Sequence, residues 1–320
     1  MKPDFKVLSI DGGGVRGVMP ATLLSLIEKE IQKPLYEYFD LVCGTSTGSI
    51  IALALSLGKP MTEIADLYDK KADVIFPKLR NDSWFKRISF AKRLVFGAGH
   101  AFEADPLERL LKDQFKDKLL RDAKVNVCVP AIDITSGRIV VYKTPHKVMK
   151  PVEKVLSDDG DKEMWRVARA SSAAPIFFPS AKVNDSFCID GGMWGNNPGM
   201  IGLIEALRFG ADLDQIKILS LGTGSSIYQV ESTKASRMNI ENWGFGLKLI
   251  EMSFEVQSEA VKNQLNLLLS PKQYMRLDHK FPNGISMTDT SRLGDLKAAA
   301  QNLMRDHRQE LIQKFFQPST

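Results

Sequence analysis

Three glycine-rich turns, each directly after a short apolar segment, restrict what this chain can fold into. They occupy residues 11–17, 44–48 and 190–192, after apolar segments at about residues 6–10, 38–42 and 187–189. Periodic apolar segments typical of helices follow the first two turns, at about residues 20–31 and 49–57. Repeated strand–turn–helix units build parallel sheets with helical crossovers. The sequence therefore predicts an α/β fold with a mostly parallel central sheet flanked by helices.

The rest of the chain shows no boundary between domains. Hydrophobic residues make up 44% of its 320 residues and charged residues 25%, proportions typical of a folded globular domain. The sequence contains no internal repeat, long linker or low-complexity tract. We therefore expect a single domain over residues 1–320, with a core at about residues 6–225 and a helical C-terminal part at about residues 240–316.

Composition argues against several classes of protein. The cysteines, Cys43, Cys128 and Cys188, are widely spaced and form no Cys-x-x-Cys pair, which disfavours a disulfide framework or a zinc site. Reduced thiols favour a cytoplasmic location. The longest apolar run, residues 50–57, is too short to span a bilayer. The net charge of +5 is mild and the basic residues form no nucleic-acid reading motif, so we expect no DNA or RNA partner, no metal and no other cofactor.

The first turn, Asp-Gly-Gly-Gly-Val-Arg-Gly, has the composition of an anion cradle. Gly12, Gly13 and Gly14 let the backbone turn tightly and expose successive N–H groups, and the following helix adds the positive end of its dipole. The anion is either a bound phosphate or the transient oxyanion of acyl transfer. The turn also fits the dinucleotide-binding pattern, but Asp40 lies before the end of its strand, whereas that pattern requires an acid at the strand end. A structural turn without a ligand is the third interpretation.

The second and third turns supply the other groups that acyl transfer requires. Ser46 has the Gly-x-Ser-x-Gly spacing of a nucleophile elbow between a strand and a helix. Asp190 ends a predicted strand, at the edge where α/β sheets carry their chemistry. The glycines beside these two residues are Gly44, Gly48, Gly191 and Gly192. An isolated Asp-Gly-Gly is more often a turn that caps its own backbone, but the three turns together provide oxyanion donors, a nucleophile and a base.

These motifs resemble those of the patatin-like phospholipase family. Residues 11–17 are similar to its glycine-rich oxyanion loop, residues 44–48 to its nucleophile elbow and residues 190–192 to its catalytic aspartate motif. Residues 170–175, with Phe178 and Pro179 after them, resemble a further block of the family. The resemblance extends from about residue 7 to residue 224 and implies a three-layer fold with the sheet between helices.

The resemblance implies a lipid acyl hydrolase of the phospholipase A or lysophospholipase type. Ser46 would attack the ester carbonyl to form an acyl-enzyme, and Asp190 would act as the base without a histidine. The implied oxyanion hole comprises the loop residues Gly12, Gly13, Gly14 and Arg16, with Arg16 in a supporting role. The implied substrate is a phospholipid, reached by peripheral contact with a membrane surface.

Two further expectations concern regulation and access to lipid. Bacterial members of the family include phospholipases activated by cyclic di- or trinucleotides in antiphage defence, which implies a cyclic oligonucleotide activator for this chain. Residues 76–102 combine basic and aromatic side chains, among them Lys86, Arg87 and Trp84, that suit a lid or a membrane-docking element. The alternative is a partly buried insertion whose basic side chains are solvated.

The sequence leaves two alternative functions open. Ser46, Asp190 and His279 follow the Ser…Asp…His order of the α/β-hydrolase triads, although His279 lies in a polar stretch without a glycine turn. The chain could instead be a nucleotide-binding regulatory module. An essential His279 would contradict the dyad, whereas a dispensable His279 would exclude the triad.

Overall fold

The computed structural model describes residues 4–77, 100–145, 159–226 and 247–317, together with Ser236 and Trp243. Most of the predicted docking segment, residues 76–102, therefore lies outside the described residues. The organisation as one domain stays a prediction.

The described strands form one large, mostly parallel sheet and one small sheet. They are β1 (Phe5–Ile10), β2 (Leu41–Gly44), β3 (Asn126–Asp133), β4 (Arg138–Lys143), β5 (Ala181–Val183), β6 (Ser186–Asp190), β7 (Ile216–Leu221), β8 (Ser225–Ser226), β9 (Tyr274–Leu277) and β10 (Lys280–Phe281). The large sheet has the order β5-β6-β3-β2-β1-β7-β9, with β4 also paired to β3, and β8 pairs with β10. Strands β3, β2, β1, β7 and β9 are parallel, whereas β4 and β6 are antiparallel to β3.

Helices cover both faces of this sheet. The described α-helices are α1 (Val18–Ile31), α2 (Thr47–Ser56), α3 (Met61–Ile75), α4 (Asp105–Phe115), α5 (Met164–Ser171), α6 (Gly192–Gly195), α7 (Gly199–Arg208), α8 (Leu247–Leu268) and α9 (Leu293–Leu311). A π-helical turn, Ile312–Phe316, follows α9 directly.

Two apolar cores lie on the two faces of the sheet because successive side chains of a strand point to opposite faces. In β1, Leu8 packs in the core that contains the buried sides of α1, α2 and α9, whereas Val7 packs in the core that contains that of α7 and the C-terminal half of α8. Both side chains are completely buried. The predicted three-layer α/β fold, with a mostly parallel sheet between helices, is confirmed.

The pairing of β3 determines where the chemistry lies. Strand β4 occupies one edge of β3 along residues 128–133, so β2 and β6 must share the opposite edge. β2 pairs with residues 126–128 in the parallel direction, and β6 pairs with residues 131–133 in the antiparallel direction. The C-terminal ends of β2 and β6 therefore meet head-on beside the middle of β3.

Candidate active site

Ser46 occupies the sharp turn between β2 and α2. Its backbone has φ 53° and ψ −122°, a strained conformation for a residue with a side chain, and it directly precedes the first residue of the helix, Thr47. The turn also requires very close backbone packing, because a Cβ atom on Gly48 would lie 2.3 Å from the carbonyl oxygen of Ile10. These features are those of a nucleophile elbow, in which strain directs the serine hydroxyl out of the turn.

A buried serine from another helix holds the backbone of this elbow. Ser171, at the end of α5, accepts a hydrogen bond from the Ser46 amide at 3.0 Å through its Oγ atom and donates one to the carbonyl oxygen of Pro130 at 2.7 Å. The sequence placed Ser171 in a block resembling the family but assigned it no role. Its hydroxyl links the elbow to β3, and no local pattern marks this function.

Asp190 lies at the end of β6 and contacts Ser46 directly. The Ser46 Oγ atom donates a hydrogen bond to Asp190 Oδ2 at 2.7 Å. Asp190 Oδ1 accepts a second hydrogen bond from the Gly192 amide at 2.7 Å, at the start of α6, and Gly191 lies between the two. Asp190 is completely buried and Ser46 is only 6% exposed. The head-on meeting of β2 and β6 thus brings together two residues that are 144 positions apart.

The surroundings of Asp190 favour its protonated form more than water does. Burial raises the pKa of Asp190 to about 7, although the hydrogen bonds from Gly192 and Ser46 and the charge of Arg169 oppose this rise. A carboxyl group with a pKa near neutrality is well suited to general acid–base chemistry, because it can both accept and return a proton at physiological pH.

The glycine loop lies beside the elbow, but its three glycines differ in their hydrogen bonds. A Cβ atom on Gly12 would lie 3.1 Å from Ser46 Cβ, which shows how closely the loop approaches the serine. The Gly12 amide is already used, since it donates to the carbonyl oxygen of Asn196 at 3.1 Å. Within the described residues, the amides of Gly13 and Gly14 have no protein acceptor. The amides of Gly13 and Gly14 therefore remain available to an oxyanion, and the oxyanion hole itself stays a prediction.

Two side chains that the sequence did not identify orient the Gly13 amide. The Gly12 carbonyl accepts hydrogen bonds from Thr223 Oγ1 at 2.8 Å and from Asn196 Nδ2 at 3.4 Å. In a trans peptide the C=O of one residue and the N–H of the next point in opposite directions. Holding the Gly12 carbonyl on one side therefore turns the Gly13 N–H to the other. Thr223 belongs to a Gly-Thr-Gly turn after buried strand β7, the same strand–turn signal that identified the other three turns.

Arg16 lies apart from the dyad. Its guanidinium donates to Glu255 Oε1 on α8 at 3.2 Å and to the carbonyl oxygen of Ile285 at 3.4 Å. It lines a second, polar cavity rather than the cavity that contains Ser46. These contacts tie the end of the glycine loop to α8, while a contribution of Arg16 to the oxyanion hole stays a prediction.

The dyad opens into a cavity with an apolar wall. Ser46, Asp190 and Gly14 form part of its wall, and Phe178 and Phe254 are among the hydrophobic side chains that complete it. Such a combination, a few polar groups in an apolar enclosure, is typical of sites for largely apolar ligands. The cavity presents an apolar wall to a hydrocarbon chain next to the Ser46 hydroxyl.

The structure places His279 away from the dyad's hydrogen bond. Its ring packs against Phe281 with centroids 4.6 Å apart, and its backbone amide donates to Asp278. Ser46 Oγ already donates to Asp190, so an imidazole is not interposed between the two as a triad requires. Among the residues that the structure describes, no group of three His, Cys, Asp or Glu side chains is arranged to hold a metal ion.

Comparisons with known proteins place these features in context. A family model described as patatin-like phospholipase matches residues 8–201, which include all three glycine turns. A cGAMP-activated phospholipase of Vibrio cholerae is 30% identical over 88% of this chain and 84% of its own length. A protein with the same description from Pseudomonas aeruginosa is 29% identical over 99% of this chain and 92% of its own length. Human calcium-independent phospholipase A2-gamma is 28% identical over 86% of this chain, which matches 34% of the human protein.

Proposed function

The chain belongs to the patatin-like phospholipase family of lipid ester hydrolases, and we propose that Ser46 is its nucleophile and Asp190 its general base. The observation that supports this assignment is the 2.7 Å hydrogen bond from Ser46 Oγ to a buried carboxyl group, in the wall of an apolar cavity. A buried serine–carboxyl pair beside unused backbone amides contains the parts that acyl transfer needs.

In the first half-reaction, Ser46 Oγ forms a bond to the ester carbonyl carbon while its proton moves to Asp190 Oδ2. The carbonyl oxygen becomes an oxyanion and accepts hydrogen bonds from the amides of Gly13 and Gly14. The positive end of the α2 dipole, which begins at Thr47, adds to this stabilisation. When the tetrahedral intermediate collapses, the carbon–oxygen bond of the ester breaks and Asp190 returns the proton to the departing alcohol.

In the second half-reaction, a water molecule attacks the acyl-enzyme after the alcohol has left. Asp190 accepts a proton from the water as its oxygen bonds to the acyl carbon, and the same two amides hold the second oxyanion. The bond to Ser46 Oγ then breaks, Asp190 returns the proton to the serine, and a free fatty acid leaves. A pKa of Asp190 near 7 allows both directions of proton transfer without a histidine.

The proposed substrate is a phospholipid or lysophospholipid whose acyl chain enters the apolar cavity. No helix of residues 4–77, 100–145, 159–226 or 247–317 has the length and apolar character needed to span a bilayer. We propose that the protein meets its lipid by peripheral contact with a membrane surface, on the cytoplasmic side. The role of residues 76–102 in this contact stays a prediction.

A second part of the proposal is activation by a cyclic nucleotide. It is supported by the descriptions of two relatives that match most of their own lengths, both named cGAMP-activated phospholipases. An antiphage role, expected from the resemblance, stays a prediction.

The dyad is tested by incubating mixed phospholipid vesicles with the unmodified protein and with the Ser46→Ala variant, and by identifying the products by mass spectrometry. We expect fatty acids and lysolipids from the unmodified protein and background amounts from Ser46→Ala. The matched control is Ser56→Ala, a buried serine of α2 whose hydroxyl donates only to the nearby Leu53 carbonyl at 2.8 Å and which should retain activity. Undiminished lipid hydrolysis by folded Ser46→Ala protein would refute the proposed nucleophile.

A further inference from the structure

A second cavity shares the glycine loop with the apolar cavity but has a polar wall. We call it the polar cavity. It lies at the C-terminal ends of parallel strands: Asp11 follows β1, Thr223 follows β7 and Asp278 follows β9. The chain continues from β1 to β2 on one side, whereas β7 flanks β1 on the other. The carboxyl ends of strands at such a change of direction are where α/β sheets bind ligands.

Several buried polar atoms around this cavity lack partners. Arg16 and Asn196 are 2% and 3% exposed and line the cavity, yet Arg16 Nε and Asn196 Oδ1 make no hydrogen bond within the described residues. The same holds for Nε of Arg276, which also lines the cavity. Buried groups of this kind are costly unless a ligand or water satisfies them. Two of the three unused atoms are donors and one is an acceptor, so a complementary ligand carries both kinds of group.

The charges of the wall narrow the class of ligand. Four acidic and four basic side chains line the polar cavity, so its formal charge is balanced and a simple anion gains little from it. A nucleotide matches this mixture better. Its phosphates suit ammonium groups such as that of Lys280 and that of Lys262, which here pairs with the wall residue Glu259 at 2.8 Å. The N–H groups of a purine base suit carboxylates such as that of Asp278.

The polar cavity is also connected to the proposed oxyanion donors. Thr223 and Asn196 line it, and the same two side chains hold the Gly12 carbonyl and so set the direction of the Gly13 N–H. Asp11, directly before Gly12, is held by Arg276 through two hydrogen bonds of 2.8 and 2.7 Å. A ligand in the polar cavity that hydrogen-bonds to these side chains changes how they hold the glycine loop. It does so without entering the apolar cavity.

We propose that the polar cavity is the binding site of a cyclic dinucleotide that activates the enzyme by strengthening the hold of Thr223 and Asn196 on the Gly12 carbonyl, which sets the direction of the Gly13 N–H. This inference rests on the proposed activation by a cyclic nucleotide and assigns its location and route. Lys262 and Lys280 contact the phosphates and take no part in catalysis.

The test uses the full chain and cGAMP as the probe. Calorimetry with the Ser46→Ala variant measures binding without turnover, and hydrolysis of a short-chain ester by the otherwise unmodified protein measures activation. We expect Lys262→Ala combined with Lys280→Ala to weaken cGAMP binding by at least about tenfold, because charge-assisted hydrogen bonds are lost, and to leave the rate without cGAMP unchanged. The matched control is Lys297→Ala, whose ammonium pairs with Asp69 and lines neither cavity.

The outcomes distinguish failure of the proposed binding site from failure of the proposed activation by cGAMP. If cGAMP binds and activates equally in the double lysine variant, the polar cavity is not the site, although the activation itself stands. If the unmodified protein neither binds nor responds to cGAMP, this inference is overturned, while Ser46-dependent hydrolysis would still support the dyad. Loss of the response in Lys297→Ala as well would also overturn the assignment, since a residue outside the cavity would then matter equally.

Discussion

Each of the two cavities beside the glycine loop has a buried aspartate in its wall, but the two aspartates have different hydrogen-bond donors. In the apolar cavity, Asp190 accepts hydrogen bonds from a hydroxyl and an amide. In the polar cavity, both terminal nitrogens of Arg276 donate hydrogen bonds to Asp11. Burial opposes the charged form of Arg276, but the charges of Asp11 and Asp278 outweigh it and raise the pKa of Arg276. Burial raises the pKa of both aspartates, but the rise for Asp11 is opposed mainly by the charge and hydrogen bonds of Arg276, whereas the hydrogen bonds to Asp190 come from neutral donors.

The comparison shows that the two sides of the glycine loop can serve different functions, catalysis on one side and positioning of the loop on the other. Gly14 belongs to the wall of the apolar cavity and Asp11 to that of the polar cavity, while the peptide between Gly12 and Gly13 is held from the polar side. The proposed chemistry therefore occurs on one side of the loop and its support on the other. The following changes probe this division.

The largest effect is expected for Asp190→Asn in the apolar cavity. The amide keeps the volume of the side chain but cannot accept the proton of Ser46, so we expect kcat/KM for a phospholipid to fall by about 10³-fold. Steady-state kinetics measure the loss, and circular dichroism confirms that the variant is folded. A folded Asp190→Asn protein with more than a tenth of the original activity would contradict the role of Asp190 as base.

A smaller loss is expected on the polar side for Thr223→Val. The substitution keeps the shape of the side chain but removes the donor to the Gly12 carbonyl, so the Gly13 N–H is less well aligned. We expect kcat to fall by about 10- to 100-fold with KM little changed, because only a transition-state interaction is weakened.

The conservative variant Thr223→Ser distinguishes positioning from packing. It restores the hydroxyl, and we expect it to recover most of the rate. The inhibition constant of a trifluoromethyl ketone analogue should rise in Thr223→Val roughly in parallel with the loss of kcat/KM. A Thr223→Val enzyme with an unchanged rate would show that the polar side does not orient the donor.

The pH dependence of the reaction should follow Asp190. Because burial raises the pKa of Asp190 to about 7, the base is mostly protonated in acid, and kcat/KM should fall about tenfold for each pH unit below 7. The same shift means that Asp190 contributes most to stability below its ordinary pKa of 3.8, and that this contribution is lost as the pH rises through about 7.

Rates with a soluble ester between pH 5 and 9 check the kinetic part of this prediction. The residual activity of Asp190→Asn should lack the inflection near pH 7. An unmodified enzyme with a flat profile across this range would contradict the proposed titration.

The smallest effect is expected for Ala72→Leu in the wall of the apolar cavity. The larger side chain shortens the space for hydrocarbon, so the preference for long over short acyl chains should fall about three- to tenfold. Competition between esters of different chain length gives this ratio directly. Lys71→Leu, on the exposed side of the same helix, is the control and should leave the ratio unchanged.

Local patterns predicted a large part of the fold and placed Ser46 and Asp190 at strand ends. Strand-end turns are recognisable because glycine and backbone strain leave a signature within a few residues. The boundaries were less accurate. The second strand was predicted at residues 38–42 but is Leu41–Gly44, because a 3₁₀ turn at Leu35–Glu37 leaves Tyr38 in a helical rather than an extended conformation. Helix α2 was predicted from Ser49 but begins at Thr47, directly after the reversal at Ser46.

The remainder depends on partners that no local pattern specifies. Nothing in residues 186–190 indicates that β6 lies antiparallel beside β3 and meets the end of β2. Thr223 could have been suspected, since its Gly-Thr-Gly turn follows a buried strand as the other turns do. The role of Ser171 and the polar cavity required the tertiary structure, because their partners are far away in sequence.

The head-on meeting of β2 and β6 has a consequence for biosynthesis. A ribosome releases Ser46 long before Asp190, and Arg276, which anchors the loop beside the serine, emerges later still. Until these distant segments have docked, the Ser46 hydroxyl of the nascent polypeptide lacks Asp190, and the glycine loop lacks its ion pair with Arg276. An unfinished copy therefore lacks the complete proposed dyad.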